Sequence, residues 1–190
     1  MMRFLFAPLA LCAGLVLSGH GLAAELPQRW VSAGGALSEW ISALGGEAHL
    51  VGVDTTSQHP ASLKALPSVG YQRQLSAEGI LSLRPDVLVG TEEMGPPPVL
   101  TQIRKAGVQV ELFSSKAEVQ AVDQNLARLG QLLGAQAQAQ ALAANYHQQL
   151  GALQAQVRDA QAGRPAPGVL LLVGHAGAKP LVAGQGTAGD

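Results

Sequence analysis

The stretch PSVGYQRQLSAEGILSLRPDVLVG, residues 67–90, passes from a loop through a short helix into an apolar strand. Ser76 is placed to cap the helix, since serine is among the preferred N-cap residues. Pro85 ends the helix, because proline cannot continue an α-helix without clashing with it. The following run DVLVG, 86–90, has the apolar composition of a strand that is covered on both faces. The stretch therefore predicts one helix-to-strand step of an α/β fold.

The sequence on either side repeats this alternation. Strand candidates at 29–33 and 49–53 flank a helix whose apolar residues recur at i, i+3, i+4 and i+7. Prolines 96–98 open another helix, which leads to a strand at 108–113. Four strands alternating with helices predict a parallel sheet, whose binding sites lie beyond the carboxyl ends of the strands. The loop at 54–74 is long enough to favour a functional role.

A long helical segment follows this sheet. Ser115 and Glu118 match a capping box, after which a Gln- and Ala-rich segment extends to about residue 162. Its apolar residues form one narrow stripe, which is compatible with a coiled-coil partner but fits a helix spanning the back of two lobes better. The members of this stripe are Leu142, Tyr146, Leu150, Leu153 and Val157.

The N-terminus has the features of a secretory signal peptide. Arg3 supplies positive charge, 5–17 is almost entirely apolar, and 21–24 offers small residues for cleavage. The apolar segment is shorter than a transmembrane helix requires. The single cysteine, Cys12, lies inside this segment, so an exported chain would have no disulfide, thiol nucleophile or zinc–thiolate site. These features predict a periplasmic protein.

The predicted fold class is α/β, with two Rossmann-like lobes that have parallel sheets and are joined by a long backbone helix. Only the beginning of the second lobe is expected in this chain, because about 25 residues cannot bury a core of their own. The sequence is therefore expected to be partial. The predicted divisions are a signal peptide at 1–24, an N-terminal α/β lobe at 25–115, backbone helices at 116–163 and the start of the C-terminal lobe at 164–190.

Tyr71 and Arg73 are the candidate binding residues of the long loop. In an extended segment, residues i and i+2 point the same way, and a nearby cation favours the phenolate form of tyrosine. A phenolate suits ferric iron, and tyrosine is a known axial ligand of haem. Loop tyrosines more often serve packing, so these residues alone leave the role of Tyr71 open. His175 and the acidic pair Glu92–Glu93, each following a strand, are further candidates.

The charge composition limits the classes of molecule that this protein is expected to bind. Only 13% of the residues are charged, with 12 basic and 13 acidic side chains and no long run of either sign. This balance argues against a nucleic-acid-binding surface and against a polybasic membrane patch. The pair Gly34–Gly35 after the first strand is interpreted as a tight turn, although such pairs can also form anion-binding nests.

The sequence resembles the periplasmic haem-binding component of bacterial haem ABC importers, in the helical-backbone (class III) group of substrate-binding proteins. The resemblance implies that Tyr71 ligates ferric haem iron and that Arg73 supports it by charge and hydrogen bonding. It makes His175 a haem contact or sixth ligand, and Glu92 and Glu93 candidates for docking on the permease. The segments that carry it are RWVSAGGALSEWISALGG (29–46), LPSVGYQRQLSAEGILSLRPDVLVG (66–90), EEMGPPPVL (92–100) and GHAGAKPLVAGQGTAGD (174–190).

The function implied by this resemblance is capture of ferric protoporphyrin IX between two lobes, without catalysis. The haem would be delivered to an inner-membrane ABC permease and ATPase, with an outer-membrane haem receptor upstream. Two alternatives stay open. A cobalamin or ferric-siderophore carrier shares the fold but needs no protein phenolate on its metal. An exported haem enzyme would require a distal acid–base group, for which His175 is the candidate.

Overall fold

The chain contains a four-stranded parallel sheet, as the alternating pattern predicts. The structure, a computed structural model, describes residue 26 and residues 28–165, 167–173 and 181–182. The predicted signal peptide and His175 lie outside the described residues. The strands follow the order β2-β1-β3-β4 across the sheet. Their bounds are β1 (Trp30–Ala33), β2 (Leu50–Val53), β3 (Val87–Thr91) and β4 (Gln109–Phe113).

Five helices accompany the described strands. Ser76 caps α2 as predicted, since its Oγ accepts a hydrogen bond from the backbone N–H of Gly79 at 3.4 Å. The helices are α1 (Gly35–Ala43), α2 (Ala77–Ser82), α3 (Pro97–Lys105), α4 (Val119–Leu133) and α5 (Gln136–Gln161), with short 3-10 segments at Glu47–His49 and Ala61–Ala65.

Helices cover both faces of the sheet. Side chains alternate along β1, so that Trp30 packs with α1, α4 and α5, whereas Val31 packs with α2 and α3. The first face is filled by residues such as Leu37 and Leu129, and the second by residues such as Ile103. Coverage of both faces explains why β2 and β3 are almost uninterruptedly apolar, whereas the edge strand β4 includes Gln109 and Glu111.

The strand order creates a crevice at one edge of the sheet. The chain leaves β1 for β2 on one side and leaves β3 for β4 on the other side. The connections after the neighbouring strands β1 and β3 therefore diverge, and a gap opens between them at the carboxyl ends of the strands. In open α/β sheets this is the usual place for ligand binding.

The helical segment differs from its prediction at the start. The capping box is wrong, because α4 begins at Val119 with Glu118 as an N-cap that makes no side-chain capping bond. Ser115 instead donates its backbone N–H and Oγ towards Oε2 of Glu92, at 3.4 and 3.5 Å. A carboxylate from the loop after β3 thus replaces the expected local partner.

The predicted apolar stripe of α5 is buried only near its beginning. Leu142 packs against the core, whereas Leu153 and Val157 are 56% and 44% exposed.

None of the helices in the described part of the chain is long and apolar enough to cross a membrane.

Two further strands, β5 (Leu172–Val173) and β6 (Leu181–Val182), lie in the segment assigned by sequence to the second lobe. They pair antiparallel with each other, whereas the sequence predicts parallel pairing in that lobe.

Candidate functional site

A cleft of about 280 Å³ lies at the carboxyl edge of the parallel sheet. It combines apolar groups, such as the ring of Trp40, with polar groups, such as the side chain of Asn125. Its wall is formed by 34–37 and Trp40 around the start of α1, Gln72 from the long loop, Thr91 and Glu93 after β3, 114–116 after β4, and Val122 and Asn125 on α4. This is the position predicted for a binding site in such a sheet.

The long loop at 54–74 is held against the outer edge of β2. Val53 accepts a backbone hydrogen bond from Val69 at 2.9 Å and donates one to Pro67 at 3.0 Å. Thr55 then donates its N–H to the carbonyl of Gly70 at 2.9 Å. The segment before Tyr71 therefore continues the sheet rather than moving freely above it.

Tyr71 begins a tight turn, which we call the Tyr71 turn and define as Tyr71 to Gln74. The N–H of Gln74 donates to the carbonyl of Tyr71 at 2.8 Å. The sequence interpretation required an extended backbone from Tyr71 to Arg73, and the structure has a turn there instead. The turn arises because both of its ends are fixed, at the edge of β2 and by contacts with the loop after β3.

The second of these fixed ends joins the Tyr71 turn to the loop that follows β3. Gly95 donates its N–H to the carbonyl of Gln72 at 3.0 Å, and Leu75 donates to the carbonyl of Gly95 at 2.9 Å. Gln72 lines the cleft, whereas Tyr71, the residue before it, is not among the lining residues and is 40% exposed. Among the described residues, none forms a hydrogen bond with the Tyr71 hydroxyl.

Arg73 forms an ion pair with Glu93. Its Nη2 donates to Oε2 of Glu93 at 2.6 Å, and the two side chains are 53% and 45% exposed. The pKa of Arg73 is raised above its ordinary value, first by the hydrogen bond and charge of Glu93 and then by the charge of Tyr71. The structure thus brings Tyr71, Arg73 and Glu93 together. Glu92, in contrast, accepts a hydrogen bond from the backbone N–H of Ser115.

A buried polar network lies beneath the cleft, and sequence reasoning missed it. Asp54 is only 2% exposed, and its carboxylate accepts hydrogen bonds from the N–H of Gly34 at 3.1 Å and from Oγ of Ser57 at 2.8 Å. Oγ of Ser57 lies 2.7 Å from Oγ of Ser38, which donates to Oγ of Ser32 at 2.8 Å. The sequence signal was an acidic residue directly after β2, followed by hydroxyl side chains.

Side chains of the loop after β2 also accept hydrogen bonds from the two glycines that follow β1. The N–H of Gly34 is taken by Asp54, and the N–H of Gly35 donates to Oγ1 of Thr56 at 2.9 Å. These donors are therefore engaged by side chains and do not form an anion-binding nest. The interpretation of Gly34–Gly35 as a tight turn is supported, with a backbone φ of 138° at Gly34 that favours glycine.

Residues 31–190 match the periplasmic binding protein family. The chain belongs to this family. Its architecture agrees with that membership, because the binding cleft lies at the carboxyl edge of a parallel sheet next to a long helix.

Among solved structures, the chain is similar to a periplasmic heme binding protein from Pseudomonas aeruginosa, with 61% identity and a TM-score of 0.82. That match covers 84% of this chain and 57% of the other. The periplasmic heme binding protein HutB of Vibrio cholerae matches with 43% identity and a TM-score of 0.69, over 82% of this chain and 58% of that one.

Among curated proteins, the chain is similar to a vitamin B12-binding protein of Pectobacterium atrosepticum, with 28% identity over 142 residues. The match covers 75% of this chain and 50% of the other protein. The chain thus spans about half the length of the curated relative that it matches.

Proposed function

We propose that this chain supplies one wall of a periplasmic binding protein for ferric haem, with Tyr71 as the axial ligand of the iron. The observation that carries the proposal is a half-exposed tyrosine that directly precedes the cleft residue Gln72. Its hydroxyl has no hydrogen-bond partner within 28–165, and its charge acts on the guanidinium of Arg73. A hard anionic oxygen is a suitable ligand for ferric iron, and tyrosine serves this role in haem proteins.

The other groups of the cleft suit a porphyrin. Trp40 and Val122 offer apolar surface for a flat ring system, whereas Lys116 offers a cation for a carboxylate of the ligand. Arg73 would support the phenolate by its charge. The second wall, including His175 as a haem contact or sixth ligand, would come from the second lobe.

Transport is the proposed purpose of binding. The 61% identity with a periplasmic heme binding protein favours a carrier that captures its ligand without chemistry and delivers it to an inner-membrane ABC permease and ATPase. Glu92 and Glu93 are the proposed docking residues on this lobe, and an outer-membrane haem receptor would act upstream. The segment at 1–24 would direct export and would then be cleaved.

The proposal is tested by titrating ferric haem into the protein and into Tyr71→Phe. We expect the variant to lose the phenolate-to-iron charge-transfer absorption and to bind haem more weakly, because phenylalanine offers no oxygen to the iron. The matched control is Tyr146→Phe, which alters the only other tyrosine of the chain, on the distant helix α5. A spectrum that is the same in Tyr71→Phe and in the unaltered protein would contradict the assignment.

A cobalamin carrier is the second candidate, because curated vitamin B12-binding proteins match three quarters of this chain at 28% identity. Cobalamin brings its own ligands for the metal, so its binding would not depend on the Tyr71 oxygen. Titration with cobalamin should therefore give no saturable binding if the haem proposal holds. Tight cobalamin binding that is unaffected by Tyr71→Phe would favour this second candidate.

A further inference from the structure

Glu93 and Arg73 connect two loops that follow different strands. The ion pair at 2.6 Å joins the Tyr71 turn to the loop after β3. The backbones of these loops are already joined by the bond from Gly95 N–H to the Gln72 carbonyl. The backbone at both residues is therefore already fixed before the side chains pair. Forming this ion pair costs less conformational entropy than forming one between two independent loops.

Arg73 interacts with two oxygen-bearing groups, one through a hydrogen bond and one through charge alone. Glu93 engages Nη2, and the charge of Tyr71 also acts on the guanidinium. A guanidinium carries five N–H donors in a rigid fork, so a bond to Glu93 on one side leaves donors available on the other. Within the described residues, Glu93 is the acceptor that Arg73 uses. Its remaining donors are therefore free to serve the Tyr71 oxygen.

We propose that Glu93 is a positioning residue for the haem-iron ligand: it holds the Arg73 guanidinium beside Tyr71, so that the three side chains act as one unit. This inference rests on the proposed function. The carboxylate does not touch the iron or the Tyr71 oxygen, and it acts by restricting the many rotamers of an exposed arginine.

A double-mutant cycle tests this order of action, with Glu93→Gln, Arg73→Gln and the combined variant. The readouts are the rate of haem dissociation and the energy of the charge-transfer absorption, which reports on the electrons of the iron-bound oxygen. We expect each single variant to release haem about two- to fivefold faster, as suits an exposed charged pair. The absorption should shift in the same direction in both.

The combined variant should behave like Arg73→Gln alone, because Glu93 has no role once the guanidinium is absent. The matched control is Glu78→Gln, which makes the same change of charge at an exposed residue of the neighbouring helix α2. Its dissociation rate and absorption should equal those of the unaltered protein.

Three outcomes would overturn the inference. These are an absorption in Glu93→Gln that matches the Glu78→Gln control, effects of Glu93→Gln and Arg73→Gln that simply add, and slower haem release in Glu93→Gln. If Glu93→Gln has the same absorption as the Glu78→Gln control while Tyr71→Phe abolishes the charge-transfer absorption, Glu93 has no positioning role. The proposed function would then remain intact. An unchanged spectrum in Tyr71→Phe would remove both.

Discussion

Asp54 is the residue on which the local geometry of the cleft depends most. Its buried carboxylate accepts hydrogen bonds from the turn after β1 and from hydroxyl groups of the loop after β2. Buried charges are costly unless they are fully hydrogen-bonded, and here four described donor contacts meet the two carboxylate oxygens. Asp54 thereby joins the turn after β1, whose glycines line the cleft, to the loop after β2.

Replacing Asp54 by alanine should lower the free energy of unfolding by about 3 kcal/mol, because buried donors of Gly34 and Ser57 lose their acceptor. Urea denaturation followed by circular dichroism measures this change. The control Asp159→Ala removes an exposed carboxylate near the end of α5 and should change the stability by less than about 0.5 kcal/mol. Equal stability of the two variants would contradict the role assigned to Asp54.

Helices α4 and α5 approach each other closely at Gly130. A Cβ atom at this position would lie 2.6 Å from Cβ of Ala139 and 3.3 Å from the carbonyl oxygen of Ala135. The two helices can therefore cross at this distance only because residue 130 has no side chain. At the other end of the contact, Nε2 of His147 lies 2.8 Å from Oδ1 of Asp123 and links the same two helices.

Gly130→Ala should therefore destabilise the protein by about 1–3 kcal/mol, because the added methyl group pushes α5 away from α4. Gly151→Ala is the matched control within α5, where an added Cβ meets no atom within 4 Å. That substitution should stabilise the protein by about 0.5–1 kcal/mol, since alanine is the better helix former. Thermal unfolding of the two variants provides the measurement, and shifts of the same sign would contradict the close approach.

The core of the described part of the chain is concentrated on the two faces of the sheet. Leu129 on α4 is fully buried against the first face, whereas Leu153 in the second half of α5 is 56% exposed. The long helix therefore contributes to the core mainly through its first turns. Its later apolar residues add little to the stability of the lobe in this chain.

Leu129→Ala should lower the free energy of unfolding by about 2–5 kcal/mol, because it leaves a cavity in a packed core. The identical change at an exposed site, Leu153→Ala, should cost less than about 0.5 kcal/mol. Urea denaturation under the same conditions compares them directly. A large loss in Leu153→Ala would show that the later part of α5 is buried in solution.

The elements of the lobe could be predicted from the sequence because their signals are local. Apolar spacing, the Ser76 cap and the helix-ending Pro85 all act within a few residues, and each of the four strands was located to within about one residue. Tyr71 could also be selected as a candidate, since a tyrosine and an arginine in a long loop stand out in a chain with 4% aromatic residues.

The partners of these residues depend on tertiary structure. Arg73 pairs with Glu93, which is 20 residues away in sequence, and Ser115 bonds to Glu92 rather than to its expected local partner Glu118. Asp54 reaches back 20 residues to Gly34. The sequence by itself determined which segments become strands and helices, because those preferences are local. Only the folded sheet decided which loops meet at its carboxyl edge, and so which charges surround Tyr71.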